Sequence, residues 1–352
     1  MASCTIYYPG LLGPAISLGE LSAKDWPPQK QINNLAKLLS AGHYQSINPR
    51  SIEATILSLF GADHGSVKDP PVSNIRVQQK KFSSKQIWCL DPVYVQIDRD
   101  EAILLANEAL ELEKTEAEKI IHDLNKHFLP DGLKIHYHRT HQWLLESDLA
   151  LATSTVSEAM LKNVNDFAPV GEDMNRWRAI INEIEMLLYS HPVNIDRMER
   201  GALPVNSLWI WGAGQSIKVY PNVDLVLAND AFVEDVANYI RIEYKVLPAH
   251  IRSGDLDNRN SLLIYTDQLS SIKRNDVFGW FESLCQFDHE VIGPLINMLK
   301  KDIIQSLILQ SDTLKLVVTK KDLNNPLRRL MAVNKSFRKR MTDLRGRYGY
   351  DA

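Results

Sequence analysis

The spacing of apolar positions along the chain predicts its elements before any single residue is considered. Residues 3–8 read as a β-strand that runs into the breaker-rich loop Pro9-Gly10-Leu11-Leu12-Gly13-Pro14. Ile32, Leu35, Leu38 and Leu39 fall at helical spacing within 29–41, as do Ile52, Ile56, Leu57 and Phe60 within 51–60. Residues 65–85 are polar, carry Pro70-Pro71 and Lys80-Lys81, and read as a linker. Between 86 and 146 the pattern gives a buried strand at Ile87–Leu90, an alternating strand through Ile97, and a short apolar run at Leu104-Leu105. A helix from Glu116 to Phe128, with Thr115 as its cap, and strands at 133–138 and 142–145 follow. Residues 153–171 read as loop, and Met174, Trp177, Ile181, Ile184 and Leu188 mark a helix over 171–189.

Beyond that helix the chain reads as a polar loop containing Arg197 and Arg200, then an apolar strand, Leu208-Trp209-Ile210-Trp211, ending in Gly212-Ala213-Gly214. Strands at 223–227, 244–247, 261–266, 303–310 and 314–319 alternate with helices at 230–241, 277–288 and 291–299. Gly293-Pro294 is expected to separate the last two helices. Strands that alternate with helices predict an α/β fold, a mostly parallel sheet flanked by helices.

Composition narrows the function classes. With 352 residues, 45% apolar and 24% charged, the chain can bury a sizeable core and matches a soluble globular protein. A net charge of −3 argues against nucleic-acid binding by the whole molecule. From Lys320 onward, however, ten Lys/Arg stand against three Asp, so any nucleic-acid contact is expected through this basic tail. The tail itself reads as a solvated, partly disordered end. Cys4, Cys89 and Cys285 are distant and odd in number, which predicts reduced thiols in a cytoplasmic protein. The absence of an apolar run of about 18 residues predicts no membrane association.

The candidate chemistry centres on residues 191–214. A buried strand feeding a Gly-x-Gly turn is where open α/β sheets receive ligands. The amides of Gly212 and Gly214 could accept an anion, with Arg197 or Arg200 supplying charge. Asn194 and Asn206 precede the strand, and Asp267 closes the 261–266 strand. His136, His138 and His141 lie close together but read as a polar strand face and loop. Asp288-His289 is a tempting metal pair, although neighbours on a helix point about 100° apart.

Five blocks together resemble one family. They are Asp91-Pro-Val-Tyr-Val-Gln, Asn182-Glu-Ile-Glu-Met-Leu-Leu, His191-Pro-Val-Asn, Pro204-Val-Asn-Ser-Leu-Trp-Ile-Trp-Gly-Ala-Gly and Phe287-Asp-His-Glu-Val-Ile-Gly-Pro, with residues 5–323 as the span. They look like the RpfE-type regulatory proteins of bacteria. That family is in turn distantly similar to archaeal-type cofactor-independent phosphoglycerate mutases, of the alkaline phosphatase superfamily. The order Asn194, Arg197, Gly201, then Asn206 to Gly214, echoes the mutase pattern.

The resemblance implies an alkaline-phosphatase-like main domain with a smaller inserted α/β domain. Residues 1–80 and 153–323 would form the main domain, 86–146 the insertion and 324–352 the tail. It also implies a Ser or Thr nucleophile and two divalent metals, manganese or magnesium, held by Asp and His. This chain departs from that pattern. The Pro9–Pro14 loop replaces the first-strand Asp, Asp267-Gln-Leu-Ser-Ser replaces an Asp followed by Gly-His, and Thr319-Lys-Lys-Asp322 stands where Asp-His is expected. No cofactor or metal is therefore predicted. The expected function is that of a non-catalytic or regulatory homologue with an anion or phosphometabolite pocket, taking a phosphorylated small molecule or a protein partner. The competing expectation is an active, metal-dependent mutase or phosphatase, with ligands drawn from Asp63, His64, Asp224, Asp255, Asp257, Asp267, Asp288 or His289.

Overall fold

The computed structural model describes residues 2–14, 26, 32–63, 69–77, 82, 86–98, 101–214, 217–256, 258–326 and 337–349. The chain divides into two compact units. The first comprises Met1–Arg50, Leu59–Gly61 and Tyr220–Ala352, and the second Ser51–Ser58 and Ala62–Val219. In chain order the strands begin with β1 Ser3–Tyr7, β2 His43–Ser46, β3 Ala62–Asp63, β4 Gln86–Asp98, β5 Glu101–Ala106, β6 Lys134–Arg139 and β7 Gln142–Ser147. They continue with β8 Ser207–Trp211, β9 Lys218–Val219, β10 Leu225–Ala228, β11 Glu243–Val246, β12 Ser261–Ile264, β13 Ser306–Gln310 and β14 Leu314–Thr319.

The first unit is built on a seven-stranded sheet in the order β11-β10-β12-β1-β13-β14-β2. β11, β10, β12, β1 and β13 run parallel, whereas β14 is antiparallel to β13 and β2 is antiparallel to β14. Every residue of β10 and β12 is buried, as expected of parallel strands with both faces covered. Helix Asn33–Ala41 and the helical rod from Val277 to Lys300 supply much of the core that packs against the sheet.

Gly293-Pro294 does not separate two helices. Helix Val277–Phe287 passes through a π-turn, Asp288–Ile292, directly into helix Gly293–Lys300. The Gly293 amide reaches back five residues to the Asp288 carbonyl. Because Pro294 has no amide hydrogen to donate, the rod can widen at this point without losing a bond. A Cβ on Gly293 would meet Asn34 Nδ2 at 2.9 Å, so the glycine also admits helix Asn33–Ala41.

The basic tail is not simply a solvated end. Its residues Phe337–Tyr348 form a helix that buries Phe337, Met341 and Leu344 in the core of the first unit. The Tyr348 ring stacks on Tyr44 at 5.7 Å. The spacing of these three apolar residues is helical, but charge counting alone hid it.

The second unit holds an antiparallel sheet, β5-β4-β7-β6, with β8 also paired to β4. The two strands expected over 87–97 are one 13-residue strand, β4. Pro92 lies between the β7 register (86–89) and the β5 register (93–98), where β4 pairs with β8 alone. A residue without an amide hydrogen is tolerated in such a place. Residues 153–219, expected in the main domain, group here with 86–146 because β8 pairs with β4. The stretch expected to be a linker contains helix Val72–Val77, and the stretch expected to be loop contains helix Val156–Ala159. Helix Lys114–Phe128 starts ahead of Thr115. The Glu116 carboxylate accepts the Glu113 amide at 2.8 Å, which satisfies a donor at the helix entry. Among the described residues no helix is long and apolar enough to cross a membrane.

Candidate functional site

The stretch 191–214 lies in the second unit, and it is more ordered than a polar loop and strand. Pro192–Glu199 is a helix with Pro192 in its first turn, and His191 Nδ1 accepts the Val193 amide at 3.2 Å. Asn194 is buried. Its Nδ2 donates to the carbonyls of Leu188 (2.8 Å) and Val205 (2.7 Å), while its Oδ1 accepts the Val205 amide at 2.9 Å. Arg197 has no exposed surface. It donates from Nε to Leu203 O at 2.8 Å, from Nη1 to Glu116 Oε2 at 2.5 Å, and from Nη2 to Leu110 O. The exposed Arg200 reaches the other oxygen of Glu116, also at 2.5 Å. Asn206 exchanges two bonds with the backbone of Val95, at 2.7 and 2.9 Å, and so extends the β4–β8 ladder by one side chain. These polar groups, read from sequence as ligand contacts, are bonded to the fold itself.

The glycine turn shows the same economy. Gly212 has φ +68° and donates its amide to Asp69 Oδ2 at 2.8 Å, while its carbonyl accepts from Ser73 N at 2.9 Å. Gly214, at φ +149°, accepts from Asn74 Nδ2 at 2.9 Å. A Cβ on Gly212 would approach Cys89 Sγ to 3.1 Å, and one on Gly214 would approach Pro71 Cβ to 3.0 Å. Both positions therefore need left-handed backbone freedom and close approach of the 70–74 segment. The anion facing the Gly212 amide is one of the chain's own carboxylates. Burial pushes the Asp69 carboxyl up to about 6; its bonds from Thr153 and Gly212 pull against this, and nearby Glu158 adds to it.

Sequence reasoning missed Asp69 and a second buried carboxylate, Asp91. Arg76 grips both oxygens of Asp91, at 2.5 and 3.0 Å, and Trp211 Nε1 donates to it at 2.8 Å. The Trp143 amide adds a bond at 3.3 Å. This explains one of the two tryptophans, and Trp209 Nε1 donates to Ser154 O at 2.9 Å. An Asp in an apolar strand was the only available signal, since its partners are remote in sequence. Of the three clustered histidines, His136 pairs across the hairpin with Glu146 at 3.1 Å.

Asp267, the remaining candidate, belongs to the first unit. It is exposed just past β12, at the carboxyl edge of the parallel sheet. Its neighbour Gln268 is buried and donates Nε2 to Pro9 O at 2.7 Å and to Tyr265 O at 3.1 Å. Gly10 N donates to Asp312 Oδ2 at 2.6 Å, and Leu11 N to Ser311 Oγ at 3.3 Å. Asp230 Oδ1 accepts from Phe232 N (2.9 Å) and Val233 N (3.2 Å), and so caps helix Ala231–Ile240. Below this edge Tyr8 packs on Phe287, with ring centroids 4.3 Å apart, and burial raises the pKa of its phenol.

Thr319-Lys320-Lys321-Asp322, which stands after the last strand where the resemblance expects Asp-His, is not at this edge. β14 is antiparallel, with Thr319 beside Ser306, so these residues lie at the opposite edge. Asp322 there accepts the Thr319 amide at 2.9 Å. The residues that follow β13 at the carboxyl edge are Ser311 and Asp312.

A two-metal centre does not fit this donor set. Asp230 and Asp312 serve backbone amides, and the β1 end offers a proline carbonyl closed by an amide. Asp224 Oδ2 accepts from Asn260 N at 3.1 Å, and Asp255 Oδ2 from Arg252 N at 2.6 Å. Asp288 accepts the Leu35 amide and Asn34 Nδ2 (3.1 Å), capping helix Asn33–Ala41. His289 turns outward to Glu290 at 2.9 Å. Among the described residues no group of three or more His, Cys, Asp or Glu is arranged to hold a metal ion. The side chain of Asp63, together with His64 and Asp257, lies outside the described residues.

Comparison with known proteins adds kinship to this geometry. The chain is 26% identical over 146 residues to the 2,3-bisphosphoglycerate-independent phosphoglycerate mutase of Methanosarcina mazei, covering 40% of this chain and 36% of that protein. It is 32% identical over 75 residues to the enzyme of the same name from Methanosarcina barkeri, covering 21% and 19%. The chain is a distant homologue of these mutases. The matched stretches span about a third or less of the relatives' lengths, and no family model matches the chain. A solved structure of a Pyrococcus horikoshii protein superposes with a TM-score of 0.51 at 13% identity, covering 100% of this chain and 99% of that one. That likeness concerns the fold alone.

Proposed function

We propose that the chain is a non-catalytic homologue of cofactor-independent phosphoglycerate mutase that acts as a regulatory binding protein. The observation that carries the reading is the closed end of β1. Gln268 Nε2 donates to Pro9 O at 2.7 Å, where the mutase resemblance implies a metal-binding Asp. A proline carbonyl and a glutamine amide cannot replace a carboxylate that charge-stabilises a metal and the oxygens of a transferring phosphoryl group. The resemblance to RpfE-type bacterial proteins supports a cytoplasmic regulatory role, with a phosphorylated small molecule or a protein as partner.

The test is a mutase assay of the purified chain with 3-phosphoglycerate and manganese, alongside metal analysis. The expected result is no turnover above the protein-free control and no stoichiometric metal. Turnover together with bound metal would overturn the proposal in favour of a metal-dependent mutase or phosphatase.

A further inference from the structure

The turn 212–214 is secured by a carboxyl group whose own surroundings are unfavourable to its charge. Asp69 Oδ2 accepts the Gly212 amide at 2.8 Å and the Thr153 hydroxyl. Its Oδ1 is closed off from solvent without a hydrogen-bond partner among the described residues. The same segment is stitched to the turn twice more, through Ser73 N to Gly212 O and Asn74 Nδ2 to Gly214 O, each at 2.9 Å. Residues 69–77 and the end of β8 thus form one clamp, with Asp69 at its hinge.

Among the described residues, the ionisable group that acts on Asp69 does not compensate its charge. Glu158, on helix Val156–Ala159, is acidic and opposes it. Glu53 and Asp91 also act on the neighbouring Cys89 as acidic groups, as does Asp69 itself. Arg76, a cation among the described residues here, holds both oxygens of Asp91. Glu53 accepts the Ser157 hydroxyl at 2.6 Å. A carboxylate with one buried, unpaired oxygen is costly, whereas a neutral carboxyl is much less so.

We propose that Asp69 is a proton-controlled latch, which keeps residues 69–77 packed on the 212–214 turn when neutral and favours their release to water when ionised. The direction follows from linkage. An aspartate exposed to water titrates near ~4, whereas burial holds Asp69 at about 6 in the packed state. Between these values the packed state keeps its proton and the open state has lost it. Packing is therefore strongest at the acid end of the window and weakens as pH rises through about 6, by up to ~100-fold.

Hydrogen exchange of the full chain, read by mass spectrometry on peptides covering 69–77 and 207–214, tests this. After correction for intrinsic exchange, the opening constant of these peptides should rise up to ~100-fold from about pH 4 to about pH 7, then level off. Peptides covering β12 should not follow this curve. In Asp69→Asn the dependence should disappear. A wild-type curve as flat as that of the variant, or a variant that keeps the wild-type slope, would overturn the latch. If Asp69→Asn does not fold, the carbon chemical shift of the wild-type Asp69 carboxyl decides instead: titration near 6 supports the latch, and titration near 4 overturns it.

Discussion

Arg197 Nη1 lies 2.5 Å from Glu116 Oε2, and the guanidinium has no exposed surface. Three backbone carbonyls, from Leu203, Leu110 and Glu111, take three more of its donors. The arginine therefore joins helix Pro192–Glu199 to the start of helix Lys114–Phe128. Arg197→Ala should destabilise the protein by about 2–4 kcal/mol, because it leaves several buried carbonyls without their donor and Glu116, among the described residues, with only the exposed Arg200 and the Glu113 amide. Arg197→Lys should recover only part of this, since one ammonium cannot reproduce the fork. Urea unfolding of the three proteins checks both expectations.

Gly212 and Gly201 both have positive φ, +68° and +78°, but only Gly212 is crowded. A Cβ at Gly201 meets nothing within 4 Å, whereas one at Gly212 meets Cys89 Sγ at 3.1 Å. Gly201→Ala should cost about 1 kcal/mol from backbone strain alone. Gly212→Ala should cost more, about 2–3 kcal/mol, by adding a steric clash. Parallel denaturation curves for the two variants measure the difference.

Asp288 caps helix Asn33–Ala41 from the π-turn, and burial raises its carboxyl above the ordinary range. Its shift is upward, so the folded state binds the proton more tightly than the unfolded chain does. The stability this supplies is complete below the unfolded value and is lost as pH rises through the folded value. The stability of wild type relative to Asp288→Asn should accordingly fall as pH rises through that window. Asp288→Ala should cost about 1–2 kcal/mol through loss of the cap. Chemical denaturation across the acid range tests both statements.

The C-terminal helix makes a prediction opposite to that of a loose basic tail. Phe337, Met341 and Leu344 are buried, and Phe337 stands edge-on to Trp26 at 6.2 Å. Ending the chain at Asn325 should lower stability by several kcal/mol, at about 1.5–3 kcal/mol for each buried side chain lost. Phe337→Ala alone should cost about 3–4 kcal/mol. Calorimetry of both proteins provides the measurement. Unchanged melting would mean that the helix does not pack as described.

Local pattern was sufficient for several elements because they carry their own signal. β10 and β12 are buried on both faces and read as continuous apolar runs, while helix Asn33–Ala41 places Leu35, Leu38 and Leu39 on one buried face. The blocks around Asn206–Gly214 were also specific enough to point towards the mutases, a kinship the sequence comparisons support.

Partnership, by contrast, is not written in periodicity. β8 reads as a strand of an open α/β sheet because Leu208–Trp211 is an unbroken apolar run, yet its neighbour is β4, antiparallel and more than a hundred residues earlier. Asn194, Arg197 and Gly212 have the chemistry of ligand contacts, but the backbone of Val205, the Glu116 carboxylate and the Asp69 carboxylate satisfy them. Likewise, the antiparallel direction of β14 sets Lys320 and Lys321 at the edge opposite the carboxyl ends of the parallel strands, which their position after the last strand does not reveal. Residue type limits what a group can bind. Which group it meets is decided by strand direction and register, and these emerge only when distant segments pack.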